Sequence, residues 1–122
     1  MKSLINQNLN IELEKLEIIE DIIGSAIVNR NGLLTSSRLP RNVDSRRLGA
    51  MAATMFVAIE TASSALGNNN VANLTVQFSD YQVVVMSINE KFLLVSLLAE
   101  DTNIGLIFIE LEEVIKNIKK IL

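Results

Sequence analysis

The chain has 122 residues, a net charge of −3 at pH 7, and neither cysteine nor histidine. Its length suits one domain, which buries roughly two-thirds of its unfolded surface in a single core. The composition excludes disulfides, thiolate metal sites, cysteine nucleophiles and histidine chemistry, and mild acidity argues against non-specific nucleic-acid binding, which needs a basic surface.

The first residues, Met1-Lys2-Ser3-Leu4-Ile5-Asn6-Gln7, carry no apolar run followed by a small-residue cleavage site, so no signal peptide and a cytoplasmic location are expected. Residues 1–8 read as a short extension, and residues 9–122 as the single domain. Leu9, Leu13, Leu16, Ile19 and Ile23 recur at steps of three and four, which predicts a helix over residues 9–23. Gly24 is expected to end it by taking positive φ.

Ala26-Ile27-Val28 and Leu33-Leu34-Thr35 then flank Asn29-Arg30-Asn31-Gly32. Asn-Gly between short apolar runs predicts a β-hairpin, since both residues tolerate positive φ. The only proline, Pro40, falls in the following loop. Asp44 or Ser45 is placed to cap a helix that runs to Leu66, where Gly67 and three asparagines stop it. Leu48, Ala52, Met55, Ile59, Ala62 and Leu66 make its expected core stripe. The opposite side holds Ala50, Ala53, Val57 and Ser64, with Gly49 and Phe56 on the flank and Glu60 as the one charge. A helix apolar nearly all round is normally buried all round. Residues 48–66 approach the length of a membrane span, but Glu60, the hydroxyl residues and the predominance of alanine argue against insertion.

Three strand patterns follow. Leu74, Val76 and Phe78 alternate with Asn73, Thr75, Gln77 and Ser79, leaving one polar face. Residues 82–88 and 92–99 are apolar on both faces, as in strands covered by helices on both sides. A last helix is predicted over residues 103–121, with Ile104, Ile107, Leu111, Val114, Ile115, Ile118 and Leu122 as its stripe. The order is α-β-β-α-β-β-β-α. It predicts an α/β fold of the α+β sandwich type: a five-stranded antiparallel sheet with the two terminal helices on one face and the central helix on the other.

Few features suggest chemistry. Asp80-Tyr81 and Glu100-Asp101-Thr102 lack the ordered ligand loop of a hard-metal site and read as turns or caps. No phosphate-binding glycine loop and no nucleophile-plus-base set is present. No catalytic residue, metal or cofactor is expected. Arg38, Arg41, Arg46 and Arg47 cluster before the central helix. Arg41, Arg46 and Arg47 are candidate contacts to an acidic partner or to phosphate groups, a solvated loop being the alternative. Arg46 and Arg47 also stand where the helix dipole disfavours positive charge.

The chain resembles the Roadblock/dynein-light-chain family. The likeness runs from about Leu9 to the C-terminus. It is carried by Gly24-Ser25-Ala26-Ile27-Val28 leading into Asn31-Gly32-Leu33, the alanine-rich central helix stopped at Gly67, and Asn103-Ile104-Gly105-Leu106 opening the last helix. The resemblance implies a homodimer, or a heterodimer with a paralogue, in which the third strands pair across the interface and the central helices lie together. On this sequence that maps to residues 71–79 and 48–66. The implied interface comprises Gly49, Ala53, Phe56, Val57 and Glu60 with Leu74, Thr75, Val76, Gln77 and Phe78. An edge strand and small helix residues suit such pairing independently; the alternative places the central helix under a loop of its own chain. Glu60 is either a contact to the other subunit or a rim residue. The family likeness further implies a non-enzymatic interaction module that regulates or scaffolds a small Ras-like GTPase. The runner-up is a structural subunit of a larger complex, dynein-light-chain-like or a membrane-complex scaffold, without GTPase regulation.

Overall fold

The computed structural model describes residues 3–67 and 70–122. Helix α1 (Leu4–Glu17) is capped by Ser3, whose side chain accepts from the amide of Asn6. It leads to β1 (Ile22–Asn29) and β2 (Leu34–Arg38). Helix α2 (Ser45–Ser63) continues as a 3₁₀ turn over Ser64–Leu66. Strands β3 (Leu74–Gln77), β4 (Tyr81–Ser87) and β5 (Phe92–Ala99) precede α3 (Ile104–Ile121). The strands form one antiparallel sheet in the order β2-β1-β5-β4-β3. Element order and sheet are those the sequence predicts.

Strand alternation sorts the sheet's side chains onto two faces. Ile27, Val84, Met86, Leu94 and Leu98 pack with Leu9, Leu13 and Leu16 of α1 and with Ile107, Leu111 and Ile118 of α3. Val28, Val83, Val85, Leu93, Val95 and Leu97 pack on the other side with Ala52, Ala53 and Phe56 of α2. The predicted α3 stripe is buried at Ile107, Leu111, Val114, Ile115 and Ile118. The hairpin turn is held by Asn29, whose Oδ1 accepts from the amides of Asn31 and Leu33 at 2.9 and 3.0 Å, and by Gly32 at φ 91°. Gly67 ends the central helix at φ 75°.

Three expectations need correction. The first helix begins at Leu4 and ends at Glu17, earlier at both ends than the predicted 9–23, so residues 4–8 are helical and residues 22–23 belong to β1. The turn after Glu17 happens to keep Ile19 and Ile23 in the helical rhythm, which hid the boundary. Gly24 is a strand residue, not a positive-φ cap. A Cβ there would lie 2.5 Å from the backbone oxygen of Arg38, so glycine answers a close approach between β1 and β2. Finally, the core-facing side of α2 is Gly49, Ala52, Ala53 and Phe56, not the stripe of larger residues. Small residues let this helix settle close to its own sheet: a Cβ on Gly49 would stand 3.5 Å from Val28 Cγ2.

Candidate functional site

Strand β3 is an edge. It pairs with β4 from Leu74↔Val85 to Gln77↔Gln82 and, among the described residues, with no strand on its other side. Every second residue of such an edge directs its N–H and C=O outward, a template for another chain. Leu74 and Val76 are half-buried, on the same face as Val85 and Val83; Thr75 and Gln77 are exposed. Phe78, just past the strand, is 52% exposed.

The large side chains of α2 gather on one flank of the helix. At about 100° per residue, Leu48, Met55 and Ile59 fall within roughly 40° of one another on the helix, and Leu66 follows in the 3₁₀ turn. Leu48 and Met55 are half-buried, whereas Ile59 is 41% and Leu66 85% exposed. A hollow of about 220 Å³ lined by Val43, Leu48, Phe78, Tyr81, Val83 and Leu97 joins Leu48 of this flank to β4, β5 and the residue just past β3. Apolar surface therefore runs from Leu48 to the end of the edge strand. Ser45–Leu66 is also long and apolar enough to cross a membrane by length and composition, but its inner face is spent on the sheet.

The predicted interface residues divide between places. Leu74, Thr75, Val76 and Gln77 lie on the edge strand, with Phe78 just past it. Gly49, Ala53 and Phe56 do not, since they are buried against the chain's own sheet; this corrects their assignment to a partner contact. Val57 is exposed, but helical geometry puts it about 180° from Leu48 and so on the far flank. Glu60 is committed within the chain: its carboxylate accepts from Arg30 Nη1. Arg30 also donates to Ser87 Oγ at 2.8 Å and to the carbonyl of Asn89 at 3.2 Å, and its guanidinium lies 5.5 Å from the ring centroid of Phe56. One arginine of the same chain thus ties two turns to α2.

Arg38 leaves the predicted basic cluster. It pairs with Glu17 and, at 3.5 Å, with Glu14, and donates to Asn10 Oδ1 at 3.2 Å. Its pKa is raised, chiefly by the hydrogen bond to Glu17. Arg41, Arg46 and Arg47 are exposed. Asp44 caps α2 by accepting from the amide of Arg47 at 3.1 Å. Thr102 in the β5–α3 connection donates to the carbonyl of Ala99 at 2.6 Å, a turn role. Among the described residues no group of three or more Asp or Glu side chains is placed to hold a metal.

Sequence reasoning missed Ile59 and Leu66 as surface residues. The signal was present: Gly49, Ala52, Ala53 and Phe56 follow an i, i+3, i+4, i+7 pattern of their own, and only one of the two stripes on α2 can face the sheet.

An antiparallel five-stranded sheet with one helix on one face, two on the other and an open third strand defines a class, and the comparisons agree. The chain belongs to the Roadblock/LC7 family, whose domain matches residues 10–98. An uncharacterized protein of Methanocaldococcus jannaschii is 32% identical over 107 residues, 88% of this chain and 90% of its own length. The structure of Myxococcus xanthus MglB superposes with a TM-score of 0.89 at 20% identity, covering 99% of this chain and 92% of that one. A structure of MglB with a tetrameric arrangement gives a TM-score of 0.88 at 16% identity, with the same coverages of 99% and 92%.

Proposed function

We propose that this chain is a non-enzymatic, cytoplasmic interaction module that pairs with itself, or with a paralogue, and presents the paired surface to a small Ras-like GTPase. One observation carries the pairing: the open edge of β3 ends beside an apolar hollow that Phe78 and Tyr81 share with Leu48 of α2. A second copy docking there joins two edges into a longer sheet and covers Ile59 and Leu66, supplying backbone hydrogen bonds and apolar burial together. The M. xanthus likeness supports the shape of such a unit, and membership of the Roadblock/LC7 family supports the class of partner. No arginine here is identified as a finger, so an effect on hydrolysis acts by repositioning the GTPase's own switch segments.

The test is to mix the purified protein with the small GTPases of the same organism in both nucleotide states, recording complex formation and turnover. The expected result is a complex with one of them that requires the paired form. Binding to none of them contradicts the GTPase reading. Recovery from native cells of assembly components without a nucleotide-binding protein favours the structural-subunit alternative.

A further inference from the structure

A groove of about 480 Å³ lies between the β1–β2 turn and the first half of α2, lined by Gly32, Leu33, Leu34, Arg46 and Ala50. Part of it is rigid backbone. Gly32 has φ 91°, and a Cβ there would stand 3.3 Å from the Cα of Ala50, so turn and helix already touch. One wall is apolar, with Leu33 67% exposed. The other carries Arg46.

Of the chain's five arginines, Arg30 and Arg38 are held by Glu60 and by Glu14 and Glu17. Arg41, Arg46 and Arg47 form no ion pair among the described residues. Asp44, the acid between them in sequence, is engaged as the helix cap. Arg46 and Arg47 also occupy the first turn of α2, where the helix dipole opposes positive charge. The fold makes no evident use of these charges.

We infer that this groove is a second binding site, for an acidic segment of a partner protein that sets a large apolar side chain against Leu33 and carboxylates against Arg46 and Arg47. Charge complementarity selects the occupant: the chain is acidic overall, and this cationic rim beside open apolar surface matches a segment carrying both features. The groove flanks β2, which lies at the opposite edge of the sheet from β3. Pairing through β3 leaves it open, so each chain holds one segment and a pair holds two. The site lies at the opposite edge of the sheet from the pairing surface proposed above.

The experiment titrates the ¹⁵N-labelled full chain with an octapeptide of alternating aspartate and leucine, and separately with its lysine–leucine counterpart. The acidic peptide should shift the amides of residues 32–34 and 46–50 at one peptide per chain. Added salt should weaken the effect by screening. Arg46→Glu should weaken binding about tenfold, as expected for reversing one charge at a complementary contact, and Leu33→Asp should abolish it. Both positions are exposed, and an unchanged spectrum elsewhere confirms that each variant folds. No shifts with the acidic peptide, equal shifts with the lysine peptide, or shifts confined to β3 and the outer flank of α2 each overturn the assignment. Peptide binding without capture of a GTPase refutes only the GTPase reading; the reverse result refutes only this one.

Discussion

Phe56 is fully buried, with Arg30 over its ring, and Arg30 in turn holds Glu60, Ser87 and the carbonyl of Asn89. Truncating it opens a void under α2 and removes the surface on which this guanidinium rests. Phe56→Ala is expected to cost about 3–5 kcal/mol, the range for large-to-small changes at buried aromatics, read as a lowered urea midpoint. A smaller loss, below about 1 kcal/mol, would mean that the site collapses around the deletion. At Gly24 the stress has the opposite sign. Alanine's Cβ would meet the backbone oxygen of Arg38 at 2.5 Å, and backbone yields poorly, so Gly24→Ala should destabilise by roughly 1–3 kcal/mol. An unchanged melting temperature would show that β1 and β2 separate easily. Neither glycine at 24 nor that at 49 declares its role in sequence, because the atoms that crowd them, Arg38 and Val28, are distant in the chain.

At the scale of elements, α2 has two flanks, and they should respond differently to a charge. Ile59 is on the same flank as Leu48, whereas Val57 is on the other. Ile59→Asp is expected to shift the protein from paired to single chains while its helix content by circular dichroism stays unchanged. Val57→Asp should leave the pairing intact. The reverse pattern would put the partner on the far flank. Strands β4 and β5, apolar on both faces, and the periodic α3 were legible because a buried element shows its period directly. The turn at Asn31-Gly32 and the caps at Asp44 and Gly67 were legible because their chemistry is local. The end of α1 was not, since Ile19 and Ile23 kept helical spacing across a turn. The facing of α2 was also misread: side-chain size is a poor guide where small residues permit closer packing of helix on sheet and leave the large ones for another surface.

Taken whole, the molecule has two unlike edges. At β3 the open strand ends beside an apolar hollow at Leu48; near β2 the groove beside the hairpin turn is lined by Arg46, which forms no ion pair among the described residues. The strand residues of the first surface, Leu74 to Phe78, were readable from their alternation. Its helix residues were not, because they depend on which stripe of α2 the sheet claims. The groove at Leu33 and Arg46 joins residues brought together only by folding. The account rests on the β3 edge being a pairing surface, and the mass of the protein in solution tests that most directly. Light scattering of the wild-type protein at micromolar concentration should give twice the 13.5 kDa chain mass; a value equal to the single-chain mass would contradict it.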